Sequence, residues 1–148
     1  MKTRSTNYIN LEFLSRSANE GFARSAVACF AAQLDPTLEE LGDIKTAVSG
    51  AVTNAIVHAY PDTLGRIVVK VRVLDGKVLE ISVRDWGRGI ADVDQARQPL
   101  FTTGGEERSG MGFTIMESFM DELTVRSGQG KGTRVTMRRR IKPRRAGL

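Results

Sequence analysis

From Ile67 to Val83 the chain reads IVVKVRVLDGKVLEISV. Ile67, Val69, Val71 and Val73 recur at every second position, the period of a strand with one buried face, and three of the four are β-branched valines suited to it. Asp75-Gly76 then supplies a two-residue turn of the kind that joins antiparallel strands, so Val78 to Val83 is expected to return beside the first strand. A hairpin therefore lies near the middle of the chain.

The chain before this hairpin is mostly helical in pattern. Tyr8 to Phe13 alternates Ile9, Leu11 and Phe13 with polar residues and predicts one more strand. From Asn19 onward Phe22, Ala26, Cys29 and Phe30 recur at helical spacing, with Cys29 as small core filler. Asp35 and Pro36 predict the start of a second helix, with Asp35 as N-cap and Pro36 in the first turn. Leu38, Leu41, Ile44, Val48, Val52, Ala55 and Ile56 carry its apolar stripe to about Ala59. Gly50 falls in the interior of this helix, where glycine costs about 1 kcal/mol relative to alanine.

Beyond the hairpin lies a long glycine-rich loop, Arg84 to Gly112, with a short turn at Asp92 to Arg97. A helix from Phe113 to Leu123, a strand from Leu123 to Val125 and a last strand from Thr133 to Met137 complete the pattern. Strands and helices cluster separately, which predicts an α+β fold, a two-layer α/β sandwich with helices on one face of a mixed, mostly antiparallel sheet.

Length and composition narrow the function. At 148 residues the chain is expected to form one domain, 1–148, with a basic C-terminal tail at about 141–148. The net charge is +5, and Arg138, Arg139, Arg140, Lys142, Arg144 and Arg145 all fall near the end, so the excess reads as a tail and not a face. Direct nucleic-acid binding is not expected, because the basic run lacks interleaved aromatics; salt-sensitive binding through the tail is the weakest of the readings. One cysteine and one histidine, His58, argue against an internal disulfide and a zinc site. No stretch approaches the roughly 20 apolar residues of a membrane span, and a cytoplasmic location is expected.

Two glycine clusters bracket the long loop: DWGRG, Asp85 to Gly89, at a strand end, and SGMGF, Ser109 to Phe113, at a helix start. A glycine-opened helix presents free N–H groups and a positive dipole end, suited to phosphate. Neither cluster is a P-loop or a dinucleotide fingerprint. Preceded by Asn54 in a helix and followed by KGT at Lys131 to Thr133, they form an ordered set.

That set resembles the GHKL ATPase superfamily. SANEGFAR, QLDPTLEELGDIKTAVS, AVTNAIVHAY, ARQPLFTT, RSGMGFTIMESFMDEL and KGT are together similar to the anti-sigma F factors of endospore-forming bacteria, which are serine protein kinases, over about Tyr8 to Arg140. The resemblance implies an ATP/ADP-binding homodimer that sequesters a sporulation sigma factor and phosphorylates a serine of an anti-anti-sigma protein. It assigns Asn54 to Mg²⁺, Asp85 to the adenine amino group, and Gly87, Gly89, Gly110, Met111 and Gly112 to the nucleotide. Ser109, Phe113 and Thr133 join that set, Thr103 and Arg108 lie in the expected ATP lid with Arg108 sensing the γ-phosphate, and Arg24 is implied to hold the partner proteins. His58 is expected to be structural.

Two departures accompany the resemblance. The family carries a glutamate, the presumed general base, one helical turn before the metal asparagine, and here that position is Gly50. Asp43 lies two turns back, about 10 Å along the axis. The alternative expectation is therefore a nucleotide-gated sigma-binding module whose kinase activity is impaired. In the lid, Gly104 and Gly105 stand where lysine and proline are expected, and the segment is one residue short.

Overall fold

The structure, a computed structural model, describes residues 4–90 and 109–142, the side chains of 109–112 apart. Five strands form one sheet: β1 (Ser5–Leu14), β2 (Arg66–Leu74), β3 (Val78–Asp85), β4 (Glu122–Ser127) and β5 (Thr133–Arg140). Their order is β1-β2-β3-β5-β4, and all four pairings are antiparallel, so the mixed element of the expectation drops out among the described residues. Helices α1 (Ala18–Ala31), α2 (Leu38–Asn54) and α3 (Ser109–Phe119) complete the α+β sandwich.

The hairpin forms where its pattern predicts, with a loop of three residues, Asp75 to Lys77, because Leu74 pairs with Val78. Ile67, Val69, Val71 and Val73 are buried, Leu79, Ile81 and Val83 face the same core from β3, and Asp75 and Gly76 both take positive φ. A left-handed pair at the turn matches the twist of the strands it joins. The core lies between this face of the sheet and the helices, centred on Ile44, Val48 and Val52 of α2, with Met116 of α3 and Met137 of β5.

The helices differ from expectation in their faces. On α1 the buried residues are Ala23, Val27 and Ala31, whereas Phe22 is 62% exposed and Cys29 is exposed. The stripe is rotated by one position because two alanines and a valine let α1 approach its neighbours more closely than phenylalanine would. On α2 the cap is Thr37 and not Asp35: the Thr37 hydroxyl accepts from the Glu40 amide at 3.0 Å, and the Glu40 carboxylate accepts from the Thr37 amide at 2.9 Å. Asp35 instead takes φ 52° after a short 3₁₀ turn, and Leu38 is left 87% exposed.

Part of the basic run near the carboxyl end lies in the sheet, while 143–148 of the expected tail lie outside the described residues. Arg138 and Arg139 belong to β5, where Arg138 pairs with Glu80 at 2.8 Å and Arg139 with Asp43 at 2.9 Å. Ile141 is buried, and the Lys142 amide donates to Glu40 at 3.1 Å. Meanwhile Arg84, Arg126 and Arg134 stand exposed on the sheet face away from the helices. The basic excess is thus partly a face, because strand pairing gathers arginines that are far apart in sequence.

Candidate functional site

Gly50 and Asn54 sit in the last turns of α2, and the helix then widens into one π-helical turn over Ala55–Ala59. Such turns recur at functional sites because the extra residue re-aims the side chains around it. The Asn54 amide nitrogen is buried and has no hydrogen-bond partner among the described residues. A buried amide left unpaired is costly, and the two ends of an amide exchange by a flip, so Asn54 can present either its nitrogen or its oxygen. A side-chain carbonyl oxygen suits a hard cation such as Mg²⁺, and this orphaned amide fits one.

Position 50 faces α3. A Cβ built on Gly50 would lie 3.4 Å from Cγ and 3.8 Å from Cε of Met116, an ordinary contact with a flexible side chain. Gly50 also lines a groove of about 680 Å³ between the helices, shared with Arg24, Lys45, Thr46, Ser49 and Ile115. Arg24, 42% exposed, pairs with Glu20 at 3.5 Å. The fold therefore brings the expected partner-binding arginine and the missing-base position to one groove. Asp43 is held by Arg139 and is not free to replace the absent carboxylate.

Asp85 ends β3 and is 5% exposed. Burial raises its carboxyl above the ordinary value, and hydrogen bonds from the Gly87 and Thr133 amides oppose that rise. Its Oδ1 accepts from the Gly87 amide at 3.0 Å. Beside it, the Ser127 hydroxyl lies 2.8 Å from the Thr133 hydroxyl, donates to the Gly132 carbonyl at 2.8 Å, and accepts from the Ile90 amide at 2.7 Å. Ser127 is a residue that sequence reasoning misses. A serine closing a strand has no motif of its own, and only the pairing Ser127↔Thr133 brings it to the site.

The first glycine box is constrained by protein neighbours. A Cβ on Gly87 would run into the Ala59 carbonyl, and one on Gly89, at φ 78°, would run into that of Gly128. Close approach is thus needed at both, and it ties the strand end to the π turn that follows Asn54; the Arg88 amide donates to the Ala59 carbonyl at 3.3 Å. Tyr60 adds a second tie, donating its hydroxyl proton to the Arg66 carbonyl at 2.8 Å and accepting from the Trp86 amide at 2.7 Å. Burial raises the Tyr60 phenol above its usual value.

Of the second glycine box, α3 begins at Ser109, so Ser109, Gly110, Met111 and Gly112 form the expected helix opening, four residues before the predicted start. Phe113 is buried in the core and not open to a ligand. Thr103 and Arg108, with Gly104 and Gly105, lie outside the described residues.

Comparison with known proteins shows the family. The histidine kinase-like ATPase domain family matches residues 13–139. The anti-sigma F factor of Caldanaerobacter subterraneus is 60% identical over 136 residues, spanning 91% of this chain and 94% of the relative. The chain belongs to the anti-sigma F factor family. Within that family, the Pasteuria penetrans protein is 55% identical over 141 residues, 94% of each chain. Among solved structures, the RsbU and RsbW domains of a Mycobacterium tuberculosis protein superpose with TM-score 0.69 at 22% identity, covering 95% of this chain and 34% of that one, a likeness of fold. This chain thus spans about a third of that longer protein. The histidine kinase domain of the Erythrobacter litoralis blue-light activated kinase gives TM-score 0.57 at 25% identity, over 82% of this chain and 61% of that one. The GHKL-type fold expected from the glycine boxes is the fold observed.

Proposed function

We propose that this chain is an ATP-binding anti-sigma factor that sequesters a sporulation sigma factor in its nucleotide-loaded state. Transfer of phosphate to a serine of an anti-anti-sigma protein is then slow, because no carboxylate stands at position 50. The family supports the first half. The observation that carries the second is the α2 face itself, where Asn54 keeps an unpaired buried amide one turn from Gly50.

Asn54 would hold Mg²⁺ through its amide oxygen, and the ion would neutralise charge on the ATP phosphates. Asp85 accepts the adenine amino group, while the amides of Gly87 and Thr133 hold its carboxyl group in place. Arg24 and Lys45 place two cations in the groove that leads to position 50, a surface for an acidic partner segment. The arrangement suits nucleotide and partner, and among the described residues no free carboxylate stands at position 50 to take the proton from the attacking serine. With Asp43 held by Arg139, a module without kinase activity is the second reading.

Labelled ATP, Mg²⁺ and the cognate anti-anti-sigma protein test this. Gly50→Glu is expected to raise the single-turnover rate of serine phosphorylation by about 10² to 10⁴, the usual worth of a general base, with ATP affinity unchanged. The Cβ fits against Met116, so the variant is expected to fold. Brisk transfer by the chain as it stands overturns the assignment of Gly50 as a missing base.

A further inference from the structure

The β2–β3 ladder stops one rung short of where its register would carry it. Ile67 pairs with Asp85, so the next rung would set Arg66 opposite Trp86 and join the Trp86 amide to the Arg66 carbonyl. A side chain takes that place. The Tyr60 hydroxyl donates to the Arg66 carbonyl at 2.8 Å and accepts from the Trp86 amide at 2.7 Å. Two hydrogen bonds in series span more than the about 2.9 Å of a single one, so the hydroxyl acts as a wedge that holds the strands apart just beyond Asp85.

The ring that carries the hydroxyl is fixed by the fold. It packs against the core and lies against Gly65, where a Cβ would run into it. Gly65 is itself clamped to buried Ser15: the Ser15 amide donates to the Gly65 carbonyl, and the Gly65 amide to the Ser15 hydroxyl, both at 2.9 Å. Burial raises the phenol above its usual value, so the hydroxyl keeps the proton that it donates.

The opened rung decides where Asp85 sits. Its carboxyl accepts from the Gly87 amide at 3.0 Å, so its aim depends on the course of the chain through Trp86. On leaving β2 that chain is caught by other elements: the Arg88 amide donates to the Ala59 carbonyl at 3.3 Å, and the Arg88 carbonyl accepts from the Gly130 amide at 2.6 Å. Gly132 lies so close to Asp85 that a Cβ there would run into the Asp85 carbonyl. The peptide between Asp85 and Trp86 is thus set by Gly132 and by the Tyr60 hydroxyl. Without that hydroxyl the Trp86 amide can reach the Arg66 carbonyl directly, which zips β3 onto β2 by one more residue and draws the Gly87 amide away from the carboxyl that it holds.

We propose that Tyr60 is a positioning residue for base selection: its hydroxyl ends β3 at Asp85 and so aims the Asp85 carboxyl at the amino group of a purine, in preference to a purine with a carbonyl there. This rests on the reading of Asp85 as the acceptor of the adenine amino group. The test is calorimetric titration of the full chain, with Mg²⁺ present, against ATP and against ITP, which bears a carbonyl in place of the amino group. The unaltered chain is expected to bind ATP at least about tenfold more tightly than ITP, the worth of one such hydrogen bond.

In Tyr60→Phe, which keeps the ring and removes only the wedge, ATP affinity is expected to fall toward that of ITP, while ITP affinity stays within about twofold of its own value. Gly65→Ala reaches the same hydroxyl from a residue outside the loop: its Cβ displaces the Tyr60 ring, and the same loss of discrimination is expected. It carries the test if Tyr60→Phe does not fold. A role in folding alone weakens both nucleotides alike and leaves their ratio unchanged. An unchanged ratio in a folded variant overturns the proposal and leaves the reading of Asp85 standing. Equal binding of ATP and ITP by the unaltered chain overturns that reading, and the proposal with it.

Discussion

The two ends of the candidate nucleotide site are built differently. Around Asp85 every named polar group is engaged: its carboxylate takes amides from Gly87 and Thr133, and Ser127 links Ile90, Gly132 and Thr133. Around Asn54 the amide nitrogen is unpaired among the described residues, the groove is open and position 50 has no side chain. Recognition of a base needs fixed donors and acceptors before the ligand arrives. Transfer needs a charged group at the reacting end, and there the chain has a glycine. On the proposed reading, holding a nucleotide and transferring its phosphate are separable in this fold.

The largest expected effect tests the closed end. Asp85→Asn is expected to weaken ATP and ADP binding by about 10- to 100-fold, the worth of a hydrogen bond to a charged group, as read by calorimetry. Its folding stability at neutral pH should hold or rise, because a neutral amide avoids the burial cost that raises the Asp85 carboxyl above 3.8. The sign comes from linkage: the folded chain binds the proton more tightly, so its stability relative to Asp85→Asn grows as pH falls through the raised value toward 3.8. Unchanged nucleotide affinity would break the contrast between the ends.

Asn54→Ala sharpens the open end. Removing an amide that has no protein partner should cost little stability, whereas the gain in ATP affinity on adding Mg²⁺ is expected to vanish. A large fall in melting temperature with the Mg²⁺ effect intact would show that Asn54 serves the fold. Smaller still is Ser127→Ala, which removes hydrogen bonds of about 1 kcal/mol each from the adenine end and should lower the melting temperature by a few degrees.

The smallest effect lies away from the site, in Glu40. Burial raises its carboxyl, but hydrogen bonds from Thr37 and Lys142 and the charge of Arg139 outweigh that and hold it below 4.5. Its contribution is present above 4.5 and lost as pH falls through the lowered value, so Glu40→Gln should lose about 1 kcal/mol at neutral pH and converge with the parent in acid. Equal stability at pH 7 would show that the capping box is redundant.

Much of the fold and site is legible in local pattern. The period-2 valines with Asp75-Gly76 specify the hairpin, because alternation and turn chemistry are decided within a few residues. Asn54, Asp85 and the glycine clusters are legible as a set, and Gly50 as the departure within it. The helix faces are less so: the apolar residues of α1 occupy more than one stripe, and contact with neighbouring elements selects Ala23, Val27 and Ala31 over Phe22 and Cys29.

By itself the sequence determined the hairpin, the α+β class and the family, since each rests on residues whose meaning is local or collinear. Tertiary structure alone decided what strand pairing and helix packing bring together. Asp43 became committed to Arg139, Arg24 came to share a groove with Gly50, and Ser127 joined Thr133 beside Asp85. The same register set Arg84, Arg134 and Arg126 in one row, turning charges scattered over more than forty residues of chain into one exposed face. The physical reason is that a side chain's chemistry depends on its neighbours in space, and cross-strand neighbours leave no periodic trace in the chain.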